Sequence, residues 1–241
     1  MVEAVEVRPR HEERTIGIPG VWWARSVLSI PIVLSANLGA RVRERGRSRM
    51  SEARARLLDT ASGLFYSEGL HSVGVERIIA AAQVTRATMY RHFPGKDDLV
   101  VAYLTQADES IRAQVEAVRR ENPSPVDVVR AVGRAIADSI RGPGFRGCAF
   151  LNAAAEYPDP DHPVHRAVLA HRQWFLDTVT EILADVGDTD PAPAARHFVM
   201  LRDGAMAAGC LTDPDPICET FLLGIEGLLD SRERTRREPV T

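Results

Sequence analysis

The 241-residue chain reads as an all-α protein, and three observations lead to that class. Apolar residues recur at helical spacing, as in Val75, Ile78, Ile79 and Ala82, and no segment alternates with the period of two that a half-buried strand needs. Joints at Pro94-Gly95, Pro143, Pro158 to Pro163, Pro191 to Pro193 and Pro214 to Pro216 separate these periodic stretches. Four Tyr and three Trp are too few aromatics for a sheet-rich fold.

The first helix is predicted from about Glu52 to Tyr66, with Ser51 as its cap, Leu57, Leu58, Ala61, Leu64 and Phe65 on one face, and Gly69 as its stop. Two short helices follow within Val75 to Phe93. Their joint has room for only a few residues, and Val84, Met89 and Phe93 of the second can turn back onto the first. Thr85 is a suitable N-cap for the second, because its hydroxyl can accept from the backbone N–H of Thr88. Beyond that cap, Arg86, Thr88, Tyr90, Arg91 and His92 remain on the outer face. A helix of about two turns is too short to be stable alone, and this one is too polar outside to be a core element. Insertion into a DNA groove as a recognition helix satisfies both facts.

A fourth helix starts after Pro94-Gly95, with Asp97 and Asp98 in the first turn where negative charge is favoured, and runs through Leu104, Ile111, Val115 and Val118 toward Pro123. Further helices are predicted at about Pro125–Ile140, Cys148–Glu156, Val164–Val186, Ala194–Leu211 and Ile217–Ser231.

The stretch from Gly69 to Leu99 resembles the TetR family of one-component transcriptional regulators. The family signature is matched by Gly69, Ala82, Val84, Thr88, Met89, Tyr90, Arg91, His92, Phe93, Lys96 and Leu99. The resemblance covers roughly Ser51 to Tyr103, and the later helices fit the family's ligand-binding half more loosely. Three positions depart from the pattern: Gln83 stands where the turn glycine is usual, Gly95 where Ser commonly caps the fourth helix, and Ile79 where Ala is usual.

The resemblance implies an N-terminal three-helix DNA-binding domain at residues 50–98 and a helical effector-binding and dimerisation domain at 99–231. It implies a homodimer on a palindromic operator in double-stranded DNA, paired through the last two helices. From their outward direction, Arg86, Thr88 and Arg91 are expected to contact bases or adjacent phosphates while Tyr90, His92 and Lys96 position the backbone, and the capping Thr85 is counted with the DNA-binding residues. An effector-independent or architectural DNA binder is the alternative. A small helical enzyme is a more distant one.

Composition narrows the field. The net charge is −3, yet residues 1–50 hold nine Arg against five Asp/Glu, a local +4 that leaves −7 on the remainder. Positive charge focused on one face still binds DNA, and Arg54, Arg56, Arg77, Arg86, Arg91, Lys96, His71 and His92 would form that face, with strong salt dependence. Cys148, Cys210 and Cys218 lack CxxC spacing, so a disulfide framework or zinc site is not indicated; buried thiols in a reducing cytoplasm are expected. The acidic and histidine residues Glu156, Asp159, Asp161, His162 and His165 match no closed metal site, and no cofactor is expected. A GxSxG elbow, a glycine-rich phosphate loop and HExxH are all missing from the sequence. Ile16 to Leu38 is apolar on average, but Pro19, Arg25 and Pro31 interrupt it, so no membrane span is expected. Residues 1–49 read as a disordered or non-native extension, with Arg41 to Arg49 as a basic arm, and 232–241 as a flexible tail.

In the second half, small residues at Gly204, Ala205, Ala207, Ala208, Gly209, Gly224 and Gly227 permit close helix approach, either within the chain or between subunits, with Ala205 and Leu222 expected at the subunit contact. The expected effector lining is Phe145, Phe150, Asn152, Tyr157, His171, Trp174 and Phe175, with Cys148, Glu156 and Arg202 near it. Aromatic faces with a few polar tips suit a hydrophobic small molecule. Ordinary core packing of Trp174 is the competing reading.

Overall fold

A computed structural model describes residues 41–187 and 190–237, and every regular element among them is helical. The order is α1 (Arg41–Glu68), α2 (Val75–Ala81), α3 (Arg86–His92), α4 (Lys96–Glu121), α5 (Pro125–Arg141), α6 (Ala149–Glu156), α7 (Pro163–Asp185), α8 (Pro191–Ala208) and α9 (Pro214–Arg237). The readings made for Ile16 to Leu38 lie outside the described residues. No helix of the described residues is long and apolar enough to cross a membrane.

Helix ends differ from the sequence reading in instructive ways. Ser51 is not a cap: α1 begins at Arg41 and passes through it, so the Arg41 to Arg49 run is helix rather than arm. Arg and Glu propagate a helix well once it is nucleated, and a Ser without a break before it does not force a start. The prolines expected as joints at Pro163, Pro191 and Pro214 instead open α7, α8 and α9. Proline lacks only an N–H that has no partner in the first turn, and its fixed φ suits the helix. Helix α9 also runs past Ser231 to Arg237, into the segment expected to be a tail.

Gly69 stops α1 as expected, at φ +95. Gln83, in the α2–α3 turn, has φ +53 and is the one non-glycine residue with positive φ among those described. A side chain in that conformation costs roughly 1–2 kcal/mol. Gln83→Gly is therefore expected to stabilise the protein by about 0.5–1 kcal/mol, the relief of strain less the extra chain entropy of glycine. Urea unfolding checks this, and an unchanged or lower midpoint would mean that the surrounding turn already absorbs the strain.

Two apolar cores hold the helices. The first contains Leu57, Phe65, Ile78, Met89, Phe93 and Leu99 of α1 to α4, and continues into Cys148, Phe150 and Ala153 beside α4 and on through Val164 and Val168 of α7. The second joins Val129 and Ile140 of α5, Phe175 and Ile182 of α7, Phe198 of α8, and Phe221 and Ile225 of α9. The first core thus crosses the boundary expected near residue 98. Helix α6 belongs to the same packed unit as the helix-turn-helix.

The small residues of α8 and α9 divide between two faces. Ala205 is buried, and a Cβ added to Gly224 would stand 3.0 Å from Leu201 of the same chain, so these two serve packing within the subunit. Leu222 also packs on the second core. The outward face carries Met200 at 73% exposure and Leu223 at 72%, with Gly204, Ala207 and Gly227 exposed beside them. Of the three free cysteines, Cys148 and Cys218 are buried, whereas Cys210 is exposed, contrary to the expectation of buried thiols throughout.

Candidate nucleic-acid interface and its junction with the body

Helix α3 is built as the spacing predicts. Thr85 has extended backbone and its Oγ1 accepts from Thr88 N at 3.1 Å, while the two hydroxyls lie 2.8 Å apart. Met89 is fully buried beneath the helix, which turns Arg86, Tyr90 and Arg91 outward. Thr88, His92 and Lys96 are half-buried.

The outer residues are already organised. Arg86 pairs with Glu76 of α2 at 2.9 Å and lies over the Tyr90 ring, 5.8 Å from its centroid. Both partners of the ion pair are well exposed, so it contributes at most about 1 kcal/mol and exchanges readily for a phosphate or a base edge. Lys96 Nζ donates to the His71 carbonyl at 3.3 Å. His92 turns Nε2 into the protein, where that nitrogen is buried without a hydrogen-bond partner. Arg77 is tied to Glu68 at 2.5 Å, and Arg54 lies 5.1 Å over the Phe93 ring. The basic face is thus interleaved with carboxylates that its sequence order did not reveal.

A polar junction joins this head to the body. The Glu156 carboxylate, at the end of α6, accepts from Leu70 N at 2.8 Å and from His71 N at 2.6 Å, and its carbonyl meets His71 Nε2 at 2.7 Å. Tyr157 donates from its hydroxyl to Asp97 Oδ1 at 3.0 Å, and His162 Nε2 stands 3.3 Å from Asp97 Oδ2. Burial, and then the Asp97 carboxylate, push the Tyr157 phenol up, so it remains a donor at physiological pH. Tyr66 of α1 accepts from Arg146 N and donates to the Gly147 carbonyl, each at 3.0 Å. An open cavity of about 400 Å³ lies at this junction, lined by His71, Lys96, Asp97, Glu156, Tyr157, Pro158, Asp159 and His162.

Four of the seven expected effector residues meet inside the body. The Phe150 and His171 rings stack at 3.6 Å, Trp174 is 5.6 Å from His171, and Phe175 is 6.1 Å from Trp174. The other three go elsewhere. Phe145 lies beside Gly209 at the end of α8, Asn152 is exposed and donates to the Arg146 carbonyl, and Tyr157 belongs to the junction. Helix packing, not sequence proximity, sets these directions.

Polar groups surround the aromatic set. His171 is buried, with Nδ1 2.7 Å from Asp108 Oδ1, and its Nε2 is buried without a partner. Arg112 pairs with Asp108 at 2.6 Å and lies 4.1 Å over the Trp174 ring. Arg202 is 4% exposed, pairs with Asp203 at 2.9 Å and lies 4.9 Å over Phe175. Asp108 escaped the sequence reading, although a signal existed: it falls on the helical row Leu104, Ile111, Val115, where an acidic residue needs a buried partner.

Residues 57–103 match the family model described as bacterial regulatory proteins, tetR family. The chain is similar to the HTH-type transcriptional activator FasR of Mycolicibacterium smegmatis, 30% identical over 65% of this chain and 68% of that protein. It is 23% identical to the HTH-type transcriptional regulator YjdC of Escherichia coli over 63% of this chain and 80% of that one. The crystal structure of a TetR-family transcriptional regulator from Streptomyces coelicolor is 71% identical, with a TM-score of 0.74 over 76% of this chain and 96% of that chain.

Proposed function

Because the chain belongs to the TetR family and is a DNA-binding transcriptional regulator, we propose that it acts as a homodimeric repressor which a small hydrophobic effector releases from a palindromic operator. The observation that carries this reading is the Thr85-capped α3 with Arg86, Tyr90 and Arg91 turned outward from a buried Met89. A lone head makes too few contacts for specific binding, so two heads reading half-sites one helical turn apart require a dimer. The outward face of α8 and α9, with Met200 and Leu223, is the surface for it. Occupancy of the operator is sufficient for repression and needs no contact with polymerase. The work is done on cytoplasmic DNA, and no catalytic step is involved.

The effector half of the proposal is supported by Phe150, His171, Trp174 and Phe175, aromatic faces beside a buried imidazole acceptor. A ligand among them would favour one arrangement of the body, and DNA another. Such a two-state shift makes each binding event oppose the other.

Within the head, Arg86, Thr88 and Arg91 contact bases or adjacent phosphates, Tyr90, His92 and Lys96 set the backbone register, and Thr85 holds the start of the recognition helix at the DNA surface. Sequencing genomic DNA retained by the purified protein supplies the operator. On it, Arg86→Ala or Arg91→Ala is expected to cost about 1–3 kcal/mol and to relax preference at one position, whereas Lys96→Ala weakens all sequences alike. If neither arginine variant changes operator affinity, the recognition assignment is wrong.

A further inference from the structure

We propose that Glu156 is a positioning residue for operator binding: its carboxylate holds the α1–α2 loop and thereby sets how the recognition helix is presented by the body. This rests on the operator-reading function above.

The sequence makes Glu156 an odd choice for stability alone. It is the last residue of α6, where the helix dipole presents its negative end, and a carboxylate there is disfavoured. Its two oxygens are nevertheless both used, one on Leu70 N and one on His71 N, at 2.8 and 2.6 Å. Those two amides directly follow the end of α1, in a loop that supplies no helical carbonyl for them. Charge-assisted bonds of this kind are about twice as strong as neutral ones.

Access to the amides depends on Gly69. Its φ of +95 is backbone that a side chain rarely adopts, and it lies directly before the two amides, alongside the Glu156 carboxylate. The loop leads within a few residues into α2 and hence to the turn that aims α3. Toward its start, α6 is tied to α7 by Phe150, whose ring stacks on His171. Helix α6 has eight residues, about 12 Å, so it transmits position with little slack. Glu156 is where that strut grips the head.

The test compares wild-type dimer with Glu156→Gln and Glu156→Asp on two duplexes: the palindrome recovered from genomic DNA, and the same duplex with one half-site scrambled. Gln puts an NH2 against a backbone N–H, and Asp is one methylene too short to span both amides. Both variants are expected to lose about tenfold in affinity for the palindrome and less than twofold for the single half-site. Amide exchange at Leu70 and His71 should quicken, with dimer mass and helical content unchanged. A general loss of fold would instead lower both affinities together. Unchanged palindrome affinity, or equal losses on both duplexes, would overturn the role of Glu156. A wild-type protein that discriminates neither duplex from scrambled DNA would overturn the operator reading itself, and the latch with it.

Discussion

Leu223→Asp is expected to give a folded monomer that no longer binds a two-half-site operator. Leu223 is 72% exposed on α9, so a carboxylate there costs the isolated subunit almost nothing. In a two-fold symmetric interface the same change occurs on both subunits, and both charges are desolvated near the axis. An uncompensated buried charge costs roughly 3–5 kcal/mol, which weakens dimerisation by about 10² to 10⁴-fold. Met200→Asp should behave alike. Ala205→Asp should not: Ala205 is 6% exposed inside the second core, so charge there destabilises the subunit itself. Sedimentation with melting curves separates the two behaviours. Intact dimers in both Leu223→Asp and Met200→Asp would move the interface elsewhere.

The second large effect expected is acid destabilisation through His171. Burial, its largest influence, lowers the imidazole from 6.5 to about 4; the Asp108 hydrogen bond opposes that shift, and Arg202 and Arg112 add to it. Above pH 6.5 the ring is neutral in both folded and unfolded chains and contributes no pH dependence. Between 6.5 and 4 the unfolded chain takes up a proton that the folded one refuses, so stability falls as pH falls and levels off below about 4. The full effect is roughly 3 kcal/mol at most. His171→Gln retains an N–H for Asp108 but does not titrate. Urea unfolding at pH 7.5 and 4.5 should show a smaller acid loss in the variant than in wild type. Equal losses would assign the acid sensitivity to other groups.

The same buried imidazole bears on ligand choice. Asp108 accepts from Nδ1, which leaves Nε2 as an acceptor with no partner in the described structure. A ligand reaching it would satisfy it with an O–H or N–H. That agrees with an effector of low charge and an aromatic body.

The helix-turn-helix was legible because every signal for it is local. Val75, Ile78 and Met89 show their inward direction by spacing, Thr85 announces its cap, and Gln83 marks a turn where glycine would be easier. The aromatic cluster of the body was only partly legible. Phe150, His171, Trp174 and Phe175 come together, whereas Asn152 and Tyr157, on or beside the same short helix as Phe150, point to solvent and to the head. Nothing in the order of residues distinguishes those directions. Helices α8 and α9 illustrate the same difficulty: they are apolar or small on several sides, so a stripe containing Ala205 and one containing Met200 read alike until α5 and α7 cover the first.

The sequence by itself determined the all-helical class, the helix-turn-helix and the outward direction of Arg86, Tyr90 and Arg91 on α3, because periodicity, capping and turn chemistry act over a few residues. Tertiary structure decided which carboxylate meets which donor. Glu156 reaches amides 85 and 86 positions away, Asp108 meets His171 across 63, and Arg130 of α5 meets Glu226 of α9 across 96. Such pairs form only when packing of the two cores brings their helices together. Their strength depends on desolvation, a property of the folded surroundings rather than of any residue's neighbours in the chain.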